Sequence, residues 1–137
     1  MTRTIDVVGA AIIRDGRIFC VQRGPDQSLP GLWEFPGGKI EPGEAPADAL
    51  AREIDEELDC GVRVGNLVIR TVHEYEFATI ALSTFTCELT TGEPTLREHA
   101  ASRWLAPAEM FDVVWAPADV PAVEKLITMT TQGIPDN

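Results

Sequence analysis

Cysteine is scarce in this sequence, which has three such residues among 137, at positions 20, 60 and 87. Their odd number and wide spacing argue against a disulfide framework and against a zinc site built from paired cysteines. We therefore expect Cys20, Cys60 and Cys87 to be small buried apolar residues.

Long apolar runs are also missing, whereas a bilayer crossing needs about 20 consecutive apolar residues. Residues 1–6 lack the apolar stretch and the small-residue cleavage site of a secretory signal. We therefore expect no membrane partner and a cytoplasmic location. The chain length and the unbroken pattern of apolar segments predict one domain over residues 1–137.

Positive charge is in short supply, with 11 basic residues against 22 acidic ones and a net charge of -11. Such a surface repels nucleic acid polymers, so we expect no polymer partner. A phosphorylated small molecule would meet the same repulsion unless divalent cations stand between protein and phosphate. The acidic balance therefore points to a bound metal.

The first third of the chain reads as strands and loops. Two apolar segments joined by Asp15-Gly16 predict a β-hairpin, and a segment rich in proline and glycine predicts a loop. The predicted strands span residues 5–13 and 17–22, and the loop spans residues 24–32. Pro36-Gly37-Gly38 is expected to interrupt the secondary structure after a short alternation of apolar and polar residues.

The remainder alternates between helical and extended patterns. Apolar residues recur at helical spacing over residues 45–58, with Pro46 in the first turn and Gly61 just past the end. Strands are expected at 62–71, 80–89 and 103–105, a helical turn at 107–111 and a closing helix at 120–130. This order predicts an α/β fold with helices packed on the sheet.

Three carboxylates share one face of the helix predicted at 45–58. Glu53, Glu56 and Glu57 are related by i, i+3 and i+4, so their side chains cover about 100° of that face. Like charges repel there, and the C-terminal end of a helix disfavours anions. A solvated acidic face is one interpretation, and a bound cation is the other. Oxygen-only ligands favour Mg²⁺ or Mn²⁺ over zinc.

The acidic face belongs to a longer pattern, G-x5-E-x7-R-E-U-x-E-E, in which U is a bulky aliphatic residue. Seven positions match it without insertion: Gly38, Glu44, Arg52, Glu53, Ile54, Glu56 and Glu57. This pattern, with the stretches GLWEFPGGKIEPGE, HEYEF, GEPTLREHAASRW and WAPADVP, resembles the Nudix hydrolase family in its MutT-like and CTP pyrophosphohydrolase branch. The resemblance covers nearly the whole chain and implies an α/β/α sandwich around a mixed β-sheet.

The resemblance also implies a catalytic metal site. Mg²⁺, with Mn²⁺ as a substitute, would be bound by the Gly37 carbonyl and by Glu53, Glu56, Glu57 and Glu98. Either Glu53 or Glu98 would act as the general base, and the residues alone do not choose between them. The number of metals also stays open.

Arg52 joins the catalytic set as the residue that holds carboxylates in place. Its guanidinium can pair with Glu44 or with neighbouring carboxylates of the box, a fork-like contact that lysine makes less well. Gly38 would let the backbone approach phosphate closely. Lys39 and Arg23 would supply positive contacts to phosphate, and the alternative for each is a surface charge. His99 is expected to be a structural or surface residue.

The resemblance implies that Asp119 reads the base edge, and Phe35 and Phe77 are expected to form walls of the base pocket. An ionised Asp119 would accept hydrogen bonds from guanine or 8-oxoguanine, whereas a protonated one would donate to N3 of cytosine and accept from its N4 amine. The alternative for Asp119 is an N-cap of the closing helix. The alternative for both phenylalanines is plain core packing.

One position departs from the family pattern. The box normally closes with EE-x-G-U, and Asp59 stands where the glycine is expected. Because aspartate tolerates the left-handed conformation better than most residues, we expect altered helix-end geometry and retained chemistry.

The expected function is hydrolysis of a nucleoside triphosphate to a monophosphate and pyrophosphate. CTP, dCTP or a modified cytosine nucleotide is favoured, because Arg97-Glu98-His99 and the WAPAD stretch look closest to the CTP pyrophosphohydrolases; 8-oxo-dGTP is the alternative. An ADP-sugar hydrolase is less favoured, since no proline occurs between Pro46 and Pro94. A binding module without catalysis is disfavoured by the intact carboxylates. The oligomer is expected to be a monomer or a homodimer, and ribose against deoxyribose stays open.

Overall fold

The computed structural model describes residues 3–131. Its elements are β1 (Thr4–Arg14), β2 (Arg17–Gln22), β3 (Trp33–Glu34), β4 (Gly37–Lys39), α1 (Pro46–Leu58), β5 (Gly61–Glu74), β6 (Thr79–Thr91), β7 (Ala101–Leu105), α2 (Val120–Thr131) and two 3₁₀ helices, Pro107–Asp112 and Pro117–Asp119. The predicted hairpin, central helix, later strands and closing helix are confirmed. Among the described residues, the helices are too short or too polar to cross a bilayer.

The strands form one mixed sheet in the order β3-β2-β1-β6-β5, with β4 added beside β1 and β7 beside β2. β1 runs parallel to β6 over Thr4 to Ile12. Its other edge pairs antiparallel with β4 near Val8 and with β2 near Ile13. The start of β1 therefore brings the glycine-rich segment into the sheet, next to the helix that follows it.

The expectation that Pro36-Gly37-Gly38 interrupts the secondary structure is wrong, because residues 37–39 form strand β4. A Cβ atom added to Gly37 would lie 1.9 Å from the Val8 carbonyl oxygen. No side chain fits at that distance, so the missing side chain is what permits pairing with β1. Glycine here allows a strand where its usual effect is to interrupt one.

Two buried clusters lie on opposite faces of the sheet. Successive residues of β1 alternate between them, since Ala10 and Ile12 belong to one cluster and Ala11 to the other, as the period of a strand requires. The first cluster contains Leu50, Ile54 and Leu58 of α1, and the second contains Ala122, Val123 and Leu126 of α2. The architecture is thus the expected α/β/α sandwich. The three cysteines are free and buried, as predicted.

Helix α1 ends at Asp59, which takes the left-handed conformation with φ 53° and ψ 42°. Its backbone N–H donates to the Asp55 carbonyl at 3.1 Å. Aspartate thus makes the helix-ending turn that the family pattern assigns to glycine. The carboxylates one turn earlier keep their helical positions.

Candidate active site

A pocket of about 370 Å³ opens beside the second half of α1. Glu53, Glu56 and Glu57 line it from the helix, and the loop between β6 and β7 contributes Arg97, Glu98 and His99. We call this set the carboxylate pocket. The helical spacing predicted three of these carboxylates on one face, and the fold adds the fourth, that of Glu98.

Arg52 holds the carboxylates in place but does not line the carboxylate pocket. Its guanidinium makes a two-bond contact with Glu44 at 2.8 and 2.9 Å. It also donates to Glu53 and Glu56, each at 3.1 Å, and to the Lys39 carbonyl at 3.1 Å. The hydrogen bonds from Arg52 lower the pKa of Glu44 to about 2. Arg52 is therefore a positioning residue, which makes the predicted pairing with Glu44.

Glu57 lines the carboxylate pocket. Its Oε1 atom is buried and has no hydrogen-bond partner. Burial raises the pKa of this carboxyl to about 7, against the opposing influence of His99. A buried carboxylate oxygen without a partner costs free energy unless a cation or a proton compensates it.

The donor set fits a hard divalent cation. Oxygen atoms dominate the pocket, one of them is buried without a partner, and Gly38 leaves room where a Cβ would lie 2.3 Å from the Glu53 carboxyl carbon. Within residues 3–131, no three acidic, histidine or cysteine side chains are already arranged to hold a metal.

A second cleft, of about 380 Å³, adjoins the first. Glu57 lines both cavities, and the volume suits a small-molecule ligand. We call it the aromatic cleft. Every residue predicted to bind phosphate or base lines it, together with the predicted carbonyl ligand: Arg23, Gly38, Lys39, Phe35, Phe77, Asp119 and Gly37.

The two phenylalanines of the cleft differ in environment. Phe35 is 4% exposed and packs on Trp115, with ring centroids 4.8 Å apart. Phe77 is 57% exposed and lies parallel to Tyr75, with centroids 5.1 Å apart and a 7° interplanar angle. Phe35 is therefore both core and cleft wall, whereas Phe77 presents an open ring on which a planar base can stack.

Asp119 is buried at the inner wall of the aromatic cleft. Its Oδ1 accepts a hydrogen bond from the Phe35 backbone N–H at 3.1 Å. The neighbouring Ala118 N–H donates to the Tyr75 hydroxyl at 2.9 Å, which ties the turn before α2 to the sheet. Burial, reinforced by the charge of Glu34, raises the pKa of Asp119 well above its ordinary value.

The NUDIX domain family model matches residues 7–125 of this chain. The chain belongs to the Nudix family. It is 38% identical to the CTP pyrophosphohydrolase of Escherichia coli K12, over 93% of this chain and 94% of that protein. It is 40% identical to a putative 8-oxo-dGTP diphosphatase 2 of Mycobacterium tuberculosis, over 82% and 81% of the two chains.

A solved structure supports the same assignment. The solution NMR structure of a MutT Nudix hydrolase from methicillin-resistant Staphylococcus aureus 252 is 50% identical, with a TM-score of 0.78, over 94% of this chain and 99% of that one. Nudix hydrolases act on phosphoanhydride bonds of nucleotides and generally need a divalent metal. The chain is accordingly a Nudix hydrolase.

Two residues of this Nudix site escaped the sequence-based prediction of function. Glu34 lines the aromatic cleft. In the sequence it stands between Trp33 and Phe35, both of which are buried, and this alternation was the available signal. His99, predicted to be structural or at the surface, is buried and lies 3.1 Å from Glu34. No local pattern indicates a contact between residues 65 positions apart.

Proposed function

We propose that this chain is a Mg²⁺-dependent nucleoside triphosphate pyrophosphohydrolase, with Mn²⁺ as a possible substitute. It converts a ribo- or deoxyribonucleoside triphosphate and water to the monophosphate and pyrophosphate. One observation carries the proposal: four carboxylates, including Glu57 with its unpartnered Oε1 atom, line a pocket that adjoins a cleft with basic and aromatic walls. Triphosphate oxygens and a nucleobase require those two environments side by side.

We infer the roles from the family resemblance and from the residues that line the two cavities. Glu53, Glu56, Glu57, Glu98 and the Gly37 carbonyl would hold the cation, which when bound neutralises phosphate charge and favours attack by water. Either Glu53 or Glu98 takes a proton from the attacking water. The water oxygen bonds to the β-phosphorus, and the bond from that phosphorus to the oxygen that bridges the α- and β-phosphorus atoms breaks. The bridging oxygen leaves with the monophosphate.

Arg23, Gly38 and Lys39 would bind the phosphate groups. Arg23 is held at the cleft wall by its ion pair with Glu34 at 2.7 Å, and Lys39 is exposed at the end of β4. Gly38 presents backbone without a side chain, so that phosphate can approach closely. Arg23 and Lys39 supply positive charge in an otherwise acidic chain.

Isotope labelling tests the site of attack. Hydrolysis in ¹⁸O-water is expected to place the label in pyrophosphate, because the water oxygen bonds to the β-phosphorus. Mass spectrometry of both products measures this, and a reaction in unlabelled water is the control. Label in the monophosphate would contradict the site of attack, and release of inorganic phosphate would overturn the reaction class.

For the base, we propose CTP, dCTP or a modified cytosine nucleotide. The raised pKa of Asp119 favours its protonated form, which donates to N3 of cytosine and accepts from the N4 amine. The relative named CTP pyrophosphohydrolase supports the same choice. The second candidate is 8-oxo-dGTP, supported by the similarity to the putative 8-oxo-dGTP diphosphatase 2.

Two variants of Asp119 separate these substrates. Asp119→Ala is expected to weaken discrimination between bases by roughly 1 to 3 kcal/mol, as for a lost two-bond contact. Asp119→Asn keeps one donor and one acceptor, so it should preserve cytosine preference, whereas guanine needs two acceptors from an ionised carboxylate. kcat/KM over a panel of natural and oxidised triphosphates measures both effects. An Ala variant that lost stability but kept the order of substrates would show that Asp119 only supports the start of α2.

We further propose that residues 1–137 act as one Nudix domain, as a monomer or homodimer, in the cytoplasm. The three free, buried thiols suit a reducing compartment.

The net charge of -11 supports the absence of a nucleic acid polymer partner. ADP-sugar hydrolysis and binding without catalysis are ranked below triphosphate hydrolysis, since the box carboxylates are all present.

A further inference from the structure

Three polar side chains, those of Arg23, Glu34 and His99, link the two cavities of the site. The Arg23 Nη1 atom donates to Glu34 Oε1 at 2.7 Å, and His99 Nε2 lies 3.1 Å from the other oxygen, Glu34 Oε2. Arg23 and Glu34 line the aromatic cleft, whereas His99 lines the carboxylate pocket. Both oxygens of Glu34 are thus engaged, one from each side.

The linkage is shielded from solvent. The side chain of His99 is 2% exposed, and those of Glu34 and Arg23 are each 19% exposed. Hydrogen bonds to a carboxyl group are stronger under such shielding than at an open surface. Arg23 also donates to the carbonyl and, at 2.9 Å, to the hydroxyl of Ser28. Its guanidinium therefore has one orientation at the cleft wall.

His99 has a second feature that core packing does not explain. Its Nδ1 atom is buried without a partner, as is Glu57 Oε1, and both residues line the carboxylate pocket. In the tautomer that donates to the Glu34 carboxyl group, Nε2 of His99 carries the hydrogen. A residue that only fills the core would not need a hydrogen bond to a carboxyl group of the neighbouring cleft.

We infer that His99 is a positioning residue for the proposed hydrolysis: it orients Glu34, and through Glu34 it orients the Arg23 guanidinium relative to the carboxylate pocket. The inference rests on the proposed function only for its catalytic consequence. A phosphate displaced by about 1 Å from the reacting geometry can slow a reaction roughly 100-fold. The link of His99 to Arg23 therefore has a measurable effect far from His99 itself.

The test compares His99→Leu with His99→Gln. Leu removes the donor, so kcat/KM should fall by roughly 10- to 100-fold, the range for removal of a supporting hydrogen bond behind an active-site ligand. Gln retains an N–H donor and should recover most of the loss. In an Arg23→Ala background, His99→Leu should lower kcat/KM little further, because the guanidinium group that His99 orients is absent. Thr84→Val, which removes another buried and unpartnered polar atom outside both cavities, is the matched control and should keep wild-type kcat/KM.

A second readout needs no substrate. The Arg23 Nε–H signal in a ¹⁵N-¹H spectrum, assigned by its loss in Arg23→Ala, should shift in His99→Leu and return toward the wild-type position in His99→Gln. An unmoved signal together with additive losses in the double variant would overturn the inference and make His99 a core residue only. If the wild-type chain hydrolyses no triphosphate, the proposed function fails, and the Arg23 signal still decides whether His99 orients Arg23.

Discussion

Replacing Glu57 with glutamine is expected to lower turnover by roughly 100- to 1000-fold while the fold stays intact. The substitution removes a charge that would bind the metal and changes the volume little. Several kcal/mol of charge stabilisation depend on the bound cation, and each 1.36 kcal/mol is about a factor of ten in rate. Steady-state kinetics at saturating Mg²⁺, with thermal unfolding in parallel, measures both quantities.

Asp55→Asn is the matched control, because Asp55 is exposed on the same helix and lines neither cavity. It should retain wild-type turnover. If Glu57→Gln also kept near-wild-type turnover at saturating Mg²⁺, the assignment of the metal ligands would be wrong.

The same variant should change the pH dependence of stability. The pKa of Glu57 rises from 4.5 to about 7 in the folded chain, so ionisation of this carboxyl opposes folding. In EDTA, the wild type should lose stability relative to Glu57→Gln as the pH rises from about 4.5 to about 7. The difference should stay constant at higher pH. Equal pH profiles for the two chains would contradict the burial of this charge.

Replacing Gly38 with alanine should have the second largest effect on turnover. The added Cβ would lie 2.3 Å from the Glu53 carboxyl carbon and 2.4 and 2.6 Å from its oxygens. The end of a flexible side chain can move away, so the fold should survive while Glu53 leaves its place in the carboxylate pocket. A displacement of about 1 Å corresponds to a loss of roughly 100-fold.

Gly43→Ala provides the comparison for Gly38→Ala. Gly43 has φ +80° and nothing within 4 Å of an added Cβ, so alanine there costs only backbone strain, roughly 1 kcal/mol. Its melting temperature should fall and its turnover should not. Similar turnover in Gly38→Ala and Gly43→Ala would show that the exact place of Glu53 does not matter for the reaction.

The outline of the fold was predictable because most of its signals are local. Asp15-Gly16 takes positive φ at both positions, as the hairpin turn requires. The apolar spacing of 45–58 places Leu50, Ile54 and Leu58 in the core. The segment at Pro36-Gly37-Gly38 was misread, because its pairing depends on the Val8 carbonyl, which lies 29 positions earlier than Gly37 in the chain.

The sequence by itself determined the Nudix box and the shared face of Glu53, Glu56 and Glu57, because helical periodicity places residues three and four apart on one side. It also determined that Arg52 could reach Glu44, which the bidentate contact realises. Each of these depends on residues that are close in the chain, so local geometry was sufficient.

Only the tertiary structure decided how the rest of the site is assembled. It buried Glu57 enough to raise its pKa and joined His99 to Glu34. It also brought Glu98 to the box carboxylates, a placement that the family resemblance had implied and that spacing alone could not predict. These outcomes depend on strand order and on exclusion of water, which bring together residues far apart in sequence. Spacing along the chain carries no record of either, and so the pairing of His99 with Glu34 had no counterpart in the sequence pattern.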